Sequence, residues 1–331
     1  MRRTLVFLAG ATLLASTARA QAPQGATHLL VVSGAGGEPQ YRETFHALGA
    51  RLVQAAVEKH GLSRANVTFL AEDSARAPAQ GRSSRDGLQR ALAGIAARAR
   101  AEDQVVIVLI GHGSQQGAAA RFNLPGPDIT AAELAALLEP LGARTVAVVN
   151  TASASGEWVP ALAGRNRVVI TATKSGFEAN ATLFPRHFVD ALAGDGADAD
   201  KDRTVSLLEA YEFARRETAR AYESDNRLLT EHAQLDDDGD GKGSAAPAAA
   251  GAPGDGKLAR RLVLRGGAPA AVASSPQGAA LAARRDSLQA AVEALRARRG
   301  AMPQAEYERE LERLLVSLAT TTRALRAEST P

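Results

Sequence analysis

Cysteine is absent from the 331 residues of the chain. That excludes a disulfide framework, a lipid-anchored N-terminal cysteine and every thiol-based mechanism. Stability must therefore come from an ordinary apolar core. Aromatic residues are scarce at 4%, with a single tryptophan, while Ala and Arg abound, a bias that points to a GC-rich genome rather than to a function. Apolar runs long enough to span a bilayer are also missing. The apolar stretch Leu5–Leu14 comes closest, preceded by Arg2 and Arg3 and followed by Ala18-Arg19-Ala20. A charged n-region, a short apolar h-region and a small-x-small cleavage site read as a secretory signal peptide over residues 1–20. The sequence thus implies export to the periplasm or the extracellular space of a bacterium, with no membrane span after cleavage.

Charge of one sign is missing as well once that peptide is removed. The chain carries 39 basic and 36 acidic residues. Without Arg2, Arg3 and Arg19 the balance is 36 against 36, so the basic isoelectric point gives no reason to expect nucleic-acid binding. Acidic residues gather between Asp195 and Asp240 and basic ones between Lys257 and Arg299, a distribution that two solvated faces explain.

What is present is an alternation of strand and helix patterns. Leu29–Val32, Val67–Leu70, Val105–Ile110, Thr145–Val149 and Arg167–Thr171 are short apolar runs. Helical spacing separates them around Phe45–Val57, Leu88–Ala96 and Ala131–Leu138. Ser84 or Asp86 is placed to cap the second of these helices. The order predicts an α/β fold, a mostly parallel sheet with helices on both faces, and Val105–Ile110 as a strand buried on both sides. Residues 183–194 and 204–222 read as helices, Leu235–Gly243 as an acidic loop and Leu262–Leu264 as a last edge strand closing the sheet. The organisation expected is a domain over 21–265 with a flexible insert at 244–256, a linker at 266–280, and a helical hairpin over 281–331 broken at Gly300–Pro303. Each hairpin helix has one narrow apolar stripe, which must meet its mate, the domain or another chain. Self-association through 281–331 is therefore one reading of the hairpin.

One constellation could carry chemistry. His112, in Gly111-His112-Gly113-Ser114, follows the strand 105–110, and Ser153 and Ser155, in Asn150-Thr151-Ala152-Ser153-Ala154-Ser155-Gly156, follow the strand 145–149. Loops at the carboxyl ends of parallel strands converge on one crevice, so a base and a hydroxyl meet at the same sheet edge. Trp158, just beyond, either lines that crevice or packs in the core.

With these motifs, residues from about 27 to 243 resemble the legumain family of the caspase-like clan of cysteine peptidases. In that clan one strand ends in His-Gly and the next in a segment like Ala-Cys-x-Ser-Gly. Here the counterparts are Ile110-Gly111-His112-Gly113-Ser114 and Ala152-Ser153-Ala154-Ser155-Gly156, with Ser153 where the family has its nucleophilic cysteine. Val168–Thr173 is similar to the family's following strand. The resemblance implies a caspase-like sheet, His112 as proton shuttle, and the backbone N–H groups of Gly113 and residue 153 as oxyanion donors. The loss of the thiol departs from it. A serine hydroxyl is far less acidic and needs a base held by a third group. The resemblance with this departure implies a pseudopeptidase that binds a peptide or protein, or acts as a scaffold. The rival readings are an endopeptidase-type hydrolase using Ser153 with His112, and an interaction module acting through the hairpin alone.

A second motif is local. Asp198-Ala199-Asp200-Lys201-Asp202-Arg203-Thr204-Val205-Ser206-Leu207-Leu208-Glu209 has the spacing of an EF-hand loop. Calcium ligands would come from Asp198, Asp200, Asp202, Ser206 and Glu209, with the carbonyl of Thr204. Arg203 stands where that loop needs glycine. The competing reading is an acidic loop capping the following helix from Asp202 or Thr204. The cluster Asp236–Gly241 reads as a solvated loop. Ser33-Gly34-Ala35-Gly36-Gly37 contains neither G-x-G-x-x-G nor G-K-[ST], and His28, His46, His60, His187 and His232 lack metal-ligand spacing.

Overall fold

In the computed structural model of the protein, residues 25–117, 119–247, 253–266 and 276–328 are described. The signal-peptide segment, the middle of the insert and most of the linker lie outside them. Four strands are long and Val/Ile-rich: β1 (Thr27–Ser33), β4 (Gln104–Ile110), β8 (Thr145–Asn150) and β9 (Arg167–Thr171). Between them come α1 (Pro39–Glu58), β2 (Val67–Ala71), β3 (Gly81–Arg82), α2 (Arg85–Arg98), a small antiparallel sheet of β5 (Gly113–Gln116), β6 (Ala119–Phe122) and β7 (Ile129–Thr130), then α3 (Ala131–Leu138) and α4 (Trp158–Leu162). The domain continues through α5 (Phe184–Ala193), α6 (Leu207–Ser224) and β10 (Gln234–Asp236).

The main sheet has seven strands in the order β10-β9-β8-β4-β1-β2-β3, all parallel except β10. The fold is therefore the expected α/β arrangement, with helices on both faces. Alternation along β4 divides the core: Val106, Val108 and Ile110 face α1, α5 and α6, while Val105, Ile107 and Leu109 face α2, α3 and α4. A strand enclosed on both sides needs apolar residues at every position. Each fully buried Val or Ile contributes about 1.5–3 kcal/mol of transfer free energy. Trp158, fully buried, packs in the second of these cores rather than in the crevice.

Helix starts follow local rules. Ser84 caps α2 by accepting from the Gly87 N–H. Thr130 with Glu133, and Ser206 with Glu209, form capping boxes for α3 and α6. The α6 cap is thus Ser206, two to four residues beyond the expected Asp202 or Thr204, because only there does a glutamate fall three positions later.

Two further expectations are corrected. Leu262–Leu264 adds no strand to the sheet: Leu262 and Leu264 are buried in the core, Val263 makes one isolated bridge to Ser206, and the segment leaves a 3-10 turn over Ala259–Arg261. The edge is closed by β10, taken from the stretch expected to be loop, where Leu235 is fully buried and pairs antiparallel with Ile170.

The tail forms the expected hairpin, α7 (Pro276–Ala297) and α8 (Gln304–Glu328). Val292 and Leu295 close against Tyr307 and Leu314, and Leu281 meets Leu325. Among the described residues, none of the α/β domain belongs to these clusters, so each stripe is buried by its mate. Among the described residues, no helix is long and apolar enough to cross a membrane.

Candidate functional site

The chain runs outward from β1 through β2 to β3, then returns to β4 on the other side of β1. That reversal is a topological switch point, where the loops after β1 and β4 part and leave a crevice. Gly34–Gly37 follows β1, Gly111-His112-Gly113 follows β4, and Thr151–Gly156 follows β8 next door. The sequence order therefore does bring His112, Gly113 and Ser153 to one edge of the sheet.

It does not join His112 to Ser153. The half-buried His112 ring lies edge-on to Tyr41 and Phe45, with centroids 4.6 and 4.9 Å away. It is hydrogen-bonded to the backbone of Gly36, where the carbonyl accepts. Burial pushes its pKa down, and the Glu38 charge and the Gly36 bond oppose this only in part. The ring is held by α1 and the first loop.

Ser153 is 2% exposed. Its hydroxyl donates to the Gly113 carbonyl at 3.1 Å and accepts from the Gly113 N–H at 3.2 Å. A nucleophilic hydroxyl must give its proton to a base, and this one gives it to a backbone carbonyl. Among the described residues no hydrogen bond connects His112 with Ser153. The fit around Gly113 is close: a Cβ there would lie 2.2 Å from the Ser153 carbonyl oxygen, so only glycine allows the two loops to touch.

The rest of the Ser153 loop is equally committed. Ala154 takes a left-handed backbone (φ 50°) and donates its N–H to the Glu178 carbonyl at 2.8 Å. Ser155 is fully buried; its N–H donates to the Thr173 hydroxyl at 2.7 Å, and the two hydroxyls share a bond at 3.0 Å. Thr151 donates its hydroxyl to the Leu109 carbonyl at 2.7 Å. Behind these, the Glu178 carboxylate accepts from the Lys174 and His232 N–H groups and pairs with the His232 ring. Tyr41, Phe45, Thr173, Glu178 and His232 are site residues that sequence reasoning missed. The pair Glu178 and His232 is 54 positions apart, and no spacing rule connects them. Phe177, next to Glu178, is 96% exposed.

Away from the crevice, the EF-hand-like motif is half assembled. Carboxylate oxygens of Asp198, Asp200 and Asp202 lie within 4.8 Å of one another. Arg203 adopts the left-handed backbone (φ 72°) that the sixth position of such a loop requires, at a cost of about 1 kcal/mol for a non-glycine residue. The side chains of the other predicted ligand positions are bonded within the loop and at the helix start. Thr204 donates its hydroxyl to Asp202, Ser206 is the α6 cap, and Glu209 accepts from Ser206 on one oxygen and from the Ala199 and Asp200 N–H groups on the other. Of the four predicted carboxylate ligands, Asp198, Asp200 and Asp202 therefore converge.

The cluster expected to be a solvated loop is buried at its start, at Asp236 and Asp237, and exposed at Asp238 and Asp240. Asp236 is fully buried and Asp255 is 7% exposed, and with Asp238 they bring carboxylate oxygens within 4.8 Å. Asp236 accepts from the Gly239 and Gly241 N–H groups at 3.1 and 2.7 Å. Burial first, then the neighbouring carboxylates, pushes the Asp255 carboxyl up to about 6. Asp255 arrives from the C-terminal end of the insert, which is why spacing alone could not include it.

Comparison with protein-family models finds none that matches the chain, and no curated protein matches it either.

Proposed function

We propose that this chain is an exported legumain/caspase-like pseudopeptidase, whose crevice holds a peptide or protein partner without cleaving it. The observation that carries this reading is the state of Ser153: buried, bonded both ways to Gly113, and without a hydrogen bond to His112. The N–H that would stabilise an oxyanion is spent on the same hydroxyl. The almost fully exposed Phe177, on the loop tied to Ser153 through Ala154 and Glu178, supports a binding role, since a large apolar side chain left in water beside a cleft marks a contact surface more readily than a core position. The test is incubation of the mature protein and of Ser153→Ala with a diverse peptide library, read by mass spectrometry. Neither protein should cleave, and both should retain the same bound peptides. Cleavage by the native protein that disappears in Ser153→Ala would make it a serine-type hydrolase and overturn the proposal.

A calcium ion at the Asp198 loop is a second reading, favoured by the left-handed Arg203 and the three convergent carboxylates. Asp198, Asp200 and Asp202 would hold it, and its charge would offset their mutual repulsion.

A further inference from the structure

The turn after β10 carries a cation-loop pattern that neither the crevice nor the Asp198 loop uses. Asp236, Asp238, Asp240 and Gly241 fall at positions one, three, five and six of an EF-hand loop. The sixth position, Arg203 in the Asp198 loop, is here a glycine in the left-handed region at φ 76°. The twelfth position, where an EF-hand supplies its last carboxylate, is Pro247. That missing carboxylate comes from beyond the loop: Asp255 brings its own within 4.8 Å of those of Asp236 and Asp238, while Asp240 turns to Lys242.

The state of Asp255 points to a ligand. The residue is 7% exposed. Its Oδ1 accepts the N–H groups of Asp237 and Asp238 at 2.9 and 3.4 Å, and its Oδ2 has no hydrogen-bond or ion-pair partner among the described residues. A buried carboxylate oxygen without a donor is costly, and the charges acting on this one are the like charges of Asp238 and Asp236. Asp237 shows the contrast. Nearly as buried, it spends both oxygens on backbone, accepting from the Gly256 and Ala259 N–H groups at 2.8 and 2.7 Å. Asp237 ties the chain together, whereas Asp255 keeps an oxygen for a positive charge.

We propose that Asp236, Asp238 and Asp255 hold one calcium ion at the base of the insert. The donors are all oxygen, which selects a hard cation. A set of protein carboxylates suits calcium better than magnesium, which keeps several of its waters. The ion joins the two ends of the insert, Asp236 and Asp238 before it and Asp255 near its close, and it rests on β10, the edge strand paired with β9. It also offsets the mutual repulsion of three carboxylates, two of them buried. The site shares no residue with the Asp198 loop.

Isothermal titration of calcium into the full mature chain tests this, with Asp198→Ala as the reference so that the other loop has lost a ligand. Asp198→Ala should bind one calcium ion per chain, and Asp255→Asn added to it should weaken that binding roughly tenfold or more. Urea unfolding of the Asp255→Asn chain at about pH 7.5 gives a second readout, one that a role in packing alone would not move. Without calcium the asparagine should raise the midpoint, by relieving repulsion, and the same measurement shows that the variant folds. With saturating calcium it should lower the midpoint below the native one, because the ion then stabilises the native site alone. An Asp198→Ala chain that binds no calcium overturns the proposal. So does an affinity indifferent to Asp255→Asn, or an order of midpoints that calcium leaves unchanged. Binding in the native protein that vanishes in Asp198→Ala would leave the Asp198 reading standing and refute this one. Binding that survives Asp198→Ala and is lost with Asp255→Asn supports this site by itself. None of these results bears on the crevice, whose reading rests on Ser153.

Discussion

Replacing Ser153 by alanine separates the two roles that this side chain could have. The hydroxyl both donates to and accepts from Gly113 in a part-buried setting, and Ser153 itself is 2% exposed. Removing it leaves the Gly113 N–H and carbonyl short of a partner where water enters poorly. An unsatisfied buried polar group costs about 1–3 kcal/mol. Gly113 is only half-buried, so water recovers part of that loss and the expected total is about 1–2 kcal/mol. For a domain of this size each kcal/mol lowers the melting temperature by about 2–4 °C. Calorimetry should therefore show Ser153→Ala melting roughly 2–8 °C below the native protein. A serine poised as a nucleophile predicts the opposite, since active-site groups are commonly held at the expense of stability and their removal relaxes the fold. An unchanged or higher melting temperature in Ser153→Ala would refute the view that its hydroxyl serves as a staple between the β4 and β8 loops.

Gly113→Ala should cost about 3 kcal/mol, at the upper end for overpacking, because the new methyl group would overlap the Ser153 carbonyl oxygen; a native urea midpoint would show that the two loops are not in contact. Millimolar calcium should raise the melting temperature, and Asp198→Ala should reduce that rise; no shift in the native protein would end the calcium reading. Burial lowers the folded-state pKa of His28, His46, His60, His112 and His187 below the ordinary 6.5. The unfolded chain therefore binds those protons more readily, and their combined effect is a loss of stability as pH falls below 6.5. Asp255 acts with the opposite sign. Its carboxyl, raised from 3.8 to about 6, weakens the fold as pH climbs through that window. Asp255→Asn should thus raise the urea midpoint at about pH 7.5 and leave it unchanged near pH 4, measured without added calcium; equal midpoints at the higher pH would contradict the burial of that carboxylate.

Much of the fold was legible because its signals are local. A continuous run such as Val105–Ile110 has no polar face to turn toward water, so it reads directly as a strand enclosed on both sides. The same holds for the hairpin stripes, whose spacing of three and four residues survives in the packing of Leu295, Tyr307 and Leu314. The small sheet after His112 was missed. Its strands span no more than four residues each, and Gly113–Gln116 carries no apolar alternation. The edge strand β10 was hidden by the acidic residues that follow it. Only its pairing with β9 identifies Gln234–Asp236 as extended.

For the site, the sequence alone determined the chemical inventory: no thiol anywhere, a histidine after one strand, a serine after the next, and carboxylates at EF-hand spacing. These follow from residue identity and from the order of parallel strands, which any crossover topology must respect. Tertiary structure decided what each group is spent on. Ser153 bonds to Gly113 and not to His112, His112 turns onto Tyr41 and Phe45, Asp255 joins Asp236 and Asp238, and the hairpin closes on itself. The reason is physical. A hydroxyl or an imidazole takes whichever partner lies within about 3 Å and suits its rotamer. At this site that partner belongs to a loop 40 or more residues away in the chain, brought there only once the sheet has formed.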